Sequence, residues 1–167
     1  MTELQTSISS PALDVFVRLL RAHSAVTRLL SAQLQEQHGL TINAYEALLR
    51  LSREEGDRMR RIDLAESLLL TASGVTRLLD GLERSGLIAN EQCEADRRVS
   101  YPVLTDQGRA KLVEASEFHV ASVRTLLGER YSDEEFDQLI GLLNRLPGVD
   151  PEMTGEDCRA GPSDSDH

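Results

Sequence analysis

A chain of 167 residues accommodates one domain with a real core, or a small binding domain plus a separate dimerisation layer, but not two large domains. Aromatic residues make up only 4% and Trp is absent, so the core is expected to be leucine-rich and mostly α-helical. The net charge of -10 excludes a uniformly basic nucleic-acid binder, yet the charge is unevenly placed. Residues 150–167 carry six acids against Arg159 alone, and 132–137 hold four more, whereas 58–98 balance seven Arg against seven acids. Any basic surface in that middle stretch must come from sorting charges onto faces.

Residues 1–10 are polar and read as a flexible N-terminus, with Pro11 placed for a helix start. Leu13, Phe16, Val17, Leu20, Ser24, Thr27, Ser31 and Leu34 then recur at helical spacing up to Gly39. This predicts a first helix over 11–38, either spanning to a partner or serving as an ordinary core helix. Thr41 is expected to cap a second helix with Tyr45, Leu48, Leu49 and Ser52 on one face, closing before Gly56. Asp63 and Glu66 have the spacing of a capping box and predict a short third helix carrying Leu64, Ala65 and Leu68. Thr71 caps a fourth, with Val75, Leu78, Leu79 and Leu82 inward and Gly86 at its stop. Short helix, brief connection and second helix make a helix-turn-helix.

After Gly86 the period changes. Leu87 and Ile88 begin an extended arm, Glu91 to Arg98 is polar, and Val99, Tyr101 and Val103 alternate on a returning strand that Pro102 limits to an edge. The expected result is a β-hairpin wing. Thr105 caps a fifth helix to about Gly128, and Ser132 with Glu135 boxes a sixth that runs through Phe136, Leu139, Ile140, Leu143 and Leu146 to Pro147-Gly148. The fold class is mainly α with a small hairpin wing: 40–104 as a winged helix-turn-helix, 11–38 and 105–147 as dimerisation helices, and 148–167 as an acidic disordered tail.

The solvent face of the fourth helix holds Ser73, Arg77, Asp80 and Arg84, flanked by Thr76. A major groove admits one helix, and residues near its N-terminus reach base edges through hydroxyls and guanidinium groups. Ser73, Thr76 and Arg77 suit that role. Gly74 lets the helix start approach a phosphate, and Thr71 would serve as cap and phosphate contact together. The alternative for this face is a merely solvated side of a core helix. Asp96, Arg97 and Arg98 fall at the hairpin tip, where a long cation can enter a minor groove beside an orienting acid. Arg60 and Arg61, within the run Arg58-Met59-Arg60-Arg61, either add phosphate charge or belong to a solvated loop.

The run LAESLLLTASGVTRLLDGLERSGLI from Leu64 to Ile88, followed by DRR at 96–98 and LTDQGR at 104–109, resembles the multiple-antibiotic-resistance regulator (MarR) family of bacterial transcription factors. The resemblance implies a homodimer in which the first, fifth and sixth helices interlock, with each winged unit on a half-site of a pseudo-palindromic double-stranded operator. It also implies, for many members, repression relieved by a small aromatic or anionic effector held between the dimerisation and DNA-binding parts. On motif position it assigns groove contacts to Ser73, Thr76 and Arg77, and wing contacts to Arg97 or Arg98 oriented by Asp96. This sequence departs at Leu69, where a glycine often makes the turn, at Gly81 inside the recognition helix, and at Asn90, where a basic residue is frequent. The acidic total keeps a second reading open, a winged helix used as a protein-interaction module.

Chemistry of other kinds finds no footing. His23, His38, His119 and His167 lack paired metal spacing, and neither a phosphate-binding glycine loop nor a nucleophile elbow occurs, so neither cofactor nor catalysis is expected. Cys93 and Cys158 are too few for a disulfide framework; Cys93 reads as a small strand residue. His23 and His119 are either pocket-lining or ordinary interfacial residues. With no leader-like N-terminus and no apolar run of spanning length, a cytoplasmic chain off the membrane is expected.

Overall fold

Ser10 accepts a hydrogen bond from the Ala12 amide and Pro11 occupies the first turn, so the chain enters α1 (Pro11–His38) with its initial donors partly satisfied. The computed structural model describes residues 10–92 and 100–149. At 28 residues α1 is about 42 Å long. It stops at Gly39, whose φ of +69° lets its amide turn back onto the Gln35 and Leu34 carbonyls. Of the predicted apolar stripe only Leu34 is buried, joined by Leu30; Leu13, Phe16, Val17 and Leu20 are exposed.

Thr41 caps α2 (Ile42–Leu51) through the Ala44 amide, and the Ile42 amide donates to Ser31 Oγ, fixing α2 against α1. Buried residues surround α2 on nearly every side, because α1, α5 and the hairpin's second strand all pack on it. A single 3-10 turn (Glu55–Asp57) follows, and Asp57 is ion-paired with Arg109 on α5.

α3 (Arg61–Ser67) begins earlier than Asp63 and Glu66 suggest, and this corrects the expected capping box. Its cap is Arg60, with no side-chain cap bond. Asp63 is diverted, because its two carboxylate oxygens accept Arg60 Nε at 2.6 Å and Nη2 at 2.8 Å. The turn into α4 (Ala72–Arg84) passes through Leu69 at φ +53°, with the Leu69 and Leu70 amides closing onto Glu66 and Ala65. Leu64, Val75, Leu79 and Leu82 from this pair enter the core beside Tyr45, Leu48 and Leu51.

Strands β1 (Ile88–Gln92) and β2 (Ser100–Leu104) pair antiparallel, Ile88 opposite Leu104 and Asn90 opposite Pro102. This register sets the inner face of β2. Pro102 and Leu104 are buried, while Tyr101 and Val103 are half-buried on the outer side, where Arg58 lies over the Tyr101 ring and bridges to Val103.

Thr105 ties the hairpin to α5 (Asp106–Gly128): its hydroxyl accepts from the Gly108 amide and donates to the Gly86 carbonyl. Gly108 is pressed against the chain. A Cβ at this position would stand 2.0 Å from the Leu87 carbonyl oxygen and 2.8 Å from Leu104 Cδ1. The Ser132–Glu135 capping box opens α6 (Asp133–Leu143) as expected, although the helix ends at Leu143, before Pro147-Gly148. No residue of α6 is buried, and Leu139, Ile140 and Leu142 are exposed.

Candidate nucleic-acid interface

The candidate surface starts from Thr71, whose Oγ1 accepts the Gly74 amide at 3.1 Å and lies 3.2 Å from Ser73 Oγ. A Cβ on Gly74 would sit 3.2 Å from that same Oγ1, so the glycine leaves room for the cap. On the following turns Val75, Leu79 and Leu82 are buried and Leu78 is half-buried, which leaves Ser73, Thr76, Arg77, Asp80 and Arg84 facing outward. Thr76 donates back to the Ala72 carbonyl and Arg84 Nε to the Asp80 carbonyl. Both bonds hold the side chains close to the helix while the Thr76 oxygen and the outer guanidinium nitrogens of Arg84 keep bonding capacity. Thr71, Ser73, Gly74, Thr76, Arg77 and Arg84 therefore lie along one exposed helix.

The arginine run is placed differently. Arg60 is exposed but committed to Asp63, which raises its guanidinium further above the ordinary range. Arg61 is half-buried and donates from Nη2 to Asn90 Oδ1 at 3.0 Å. Arg58, absent from the expected site, pairs with Glu91 at 3.7 Å. Asp96, Arg97, Arg98 and Cys93 lie outside the described residues. Glu83 and Asn90, neither among the expected contacts, also meet at this surface. The two are bonded at 2.5 Å, one on the helix and the other on the strand that follows, a meeting that no single periodicity encodes.

Behind the recognition face lies a groove of about 430 Å³ lined by His38, Leu40, Thr41, Arg77, Leu78, Gln107 and Lys111, where the α1–α2 corner, α4 and the start of α5 meet. His119 is not part of that lining; it is buried against α2, its ring 4.9 Å from that of Tyr45. His23 lines a shallow surface between α1 and α2 with Thr27, Arg28 and Asn43. No helix among the described residues is long and apolar enough to cross a membrane.

A helix-turn-helix whose capped second helix is followed directly by an antiparallel hairpin is a winged helix-turn-helix. The family model described as MarR family matches residues 38–99. AbsC, a MarR family transcriptional regulator from Streptomyces coelicolor, is 38% identical over 75% of this chain and 86% of its own, with a TM-score of 0.64. Sco3205, a MarR family regulator from the same organism solved in complex with DNA, is 26% identical over 82% of this chain and 86% of its own, with a TM-score of 0.73. Among curated proteins, the HTH-type transcriptional repressor YetL of Bacillus subtilis is 26% identical over 86% of this chain and 85% of its own length. The chain belongs to the MarR family of transcriptional regulators.

Proposed function

We propose that the protein is a dimeric, sequence-specific DNA-binding transcriptional regulator, a repressor released by a small-molecule effector. The carrying observation is the outward face of α4, where an N-terminal cap, two hydroxyls and Arg77 stand together on a helix backed by a packed core. In this reading Ser73, Thr76 and Arg77 meet base edges. Thr71, the Gly74 amide and Arg84 meet phosphates, and Arg97 and Arg98 add phosphate charge from the wing beside Asp96. Arg60 and Arg61, both engaged within the protein, leave this set.

Residues 40–104 form the DNA-binding part in this reading, and 11–38 with 105–147 the dimerisation part. The exposed Leu13, Phe16, Val17 and Leu20 of α1 and Leu139, Ile140 and Leu142 of α6 support it, since one small domain leaves them uncovered. A second copy places two recognition helices on the halves of a pseudo-palindrome. The groove that Arg77 and Lys111 share supports an anionic effector, which would engage a residue the operator also needs.

Selection of duplexes from a random pool by the protein, followed by a gel shift at low salt, tests the proposal. A shifted palindromic duplex is the expected result; failure to enrich any duplex overturns it and turns attention to a protein partner for the same face. Light scattering tests the dimer, which a monomeric mass at micromolar concentration overturns.

A further inference from the structure

A two-stranded hairpin is marginal alone and keeps its direction only through what braces it. Here two arginines of the run 58–61 face the hairpin, while Arg60 is held by Asp63. On the outer side Arg58 pairs with Glu91, and its guanidinium carbon lies 5.6 Å from the centre of the Tyr101 ring. On the other side Arg61, from the first turn of α3, donates to Asn90 Oδ1, while Asn90 Nδ2 donates to Glu83 Oε2 near the end of α4. Arg61 Nε is buried and has no partner among the described residues, so this guanidinium is drawn inward. Three elements thus meet on one side chain: the helix before the turn, the recognition helix, and the outgoing strand of the wing.

We propose that Asn90 is a positioning residue for DNA binding, its amide bridging Arg61 to Glu83 and thereby setting the angle of β1 against the recognition helix. This rests on the DNA-binding reading above. The chemistry is selective. A carboxylate at position 90 would accept Arg61 but repel Glu83, and a cation would satisfy Glu83 but repel Arg61. An amide offers an acceptor to one and a donor to the other. Holding helix and wing at a fixed angle lets both reach the duplex without ordering the hairpin at the moment of binding.

The test measures fluorescence anisotropy of a labelled duplex, enriched by the wild-type protein from a random pool, across a salt series. Asn90→Ala is expected to weaken binding about tenfold, the scale of one hydrogen-bonded bridge, with the slope of log affinity against log salt unchanged. Asn90→Asp is expected to weaken it comparably, and adding Glu83→Gln to restore it, because the new amide donates to the new carboxylate. That rescue also guards against reading a folding defect as a binding one. Arg61→Lys is expected to weaken binding as Asn90→Ala does, since a lysine keeps the charge and loses the geometry. Wild-type affinity in Asn90→Ala overturns the proposal, as does an Arg61→Ala slope flatter by about one with Arg61→Lys indistinguishable from wild type, the behaviour of a phosphate contact. If the wild type enriches no duplex, the DNA-binding reading fails and amide exchange judges the brace. Faster exchange in 88–92 and 100–104 of Asn90→Ala than of wild type supports it, and equal exchange overturns it.

Discussion

The Tyr45 hydroxyl donates to Ser116 Oγ at 3.2 Å, joining α2 to α5 inside the core, where Tyr45 is only 1% exposed. The rest of the ring fills space among leucines, so Tyr45→Phe keeps the packing and removes this polar link. It is expected to destabilise the fold by about 1 kcal/mol without altering the helical content, as measured by urea unfolding followed by circular dichroism.

His119 sits one turn beyond Ser116, and burial lowers its pKa below the ordinary 6.5. The unfolded chain then holds more protons on this residue than the folded one in the window from about pH 6.5 down to the depressed folded pKa. Stability is therefore expected to fall on acidification through that window, by up to about 1.4 kcal/mol per pH unit. His119→Phe keeps the aromatic contact with Tyr45 and is expected to lose less stability between pH 7 and pH 5 than the wild type. An equal loss in both proteins contradicts the assignment.

Leu69 occupies the left-handed region at φ +53° with its side chain 94% exposed, so it bears backbone strain with almost no compensating burial. Glycine relieves the strain and loses little packing, although its freer unfolded chain offsets part of the gain. Leu69→Gly is expected to stabilise by about 0.5 to 1 kcal/mol, a rise of a few degrees in calorimetric midpoint.

Gly108→Ala is the opposite case. The added methyl meets a backbone carbonyl at 2.0 Å, which no rotamer change relieves, so α5 must move off the Leu87–Leu104 junction. A loss of about 3 kcal/mol or more is expected in chemical unfolding, while Gly81→Ala, with nothing near its Cβ, is expected to gain about 1 kcal/mol.

On the contacts proposed above, Arg77→Ala separates base reading from charge. It is expected to cost about 1 to 3 kcal/mol on the preferred duplex and to relax preference at one base position, whereas Arg84→Ala is expected to weaken all sequences alike and flatten the salt dependence by about one. Binding measured on single-base variants of the enriched duplex distinguishes the two.

What could be read from sequence was mainly local. Thr41, Thr71, Thr105 and Ser132 each cap a helix through an amide three residues ahead, a relation written in adjacent residues. Asp63 had the same spacing to Glu66 but formed no cap, because a competing arginine three positions upstream held it. The alternation of Tyr101 and Val103 marks a strand, but which parity faces inward is set by the register with β1, and Arg58 covers the outer side. Of the candidate site, the outward face of α4 follows from one helical period. The link from Arg61 through Asn90 to Glu83 depends on the tertiary meeting of three elements and leaves no periodic trace.

The uncovered half of α1 has a consequence for how much of this protein a cell must keep. A helix that finds its cover on a second molecule ties folding to abundance, so the thermal midpoint of a dimer rises with the logarithm of concentration. In the dimer proposed above, dilution would remove the regulator twice over, by separating paired recognition helices and by baring the turns that carry Phe16 and Leu20. In that assembly scarcity itself would act as an off-signal, independent of any effector.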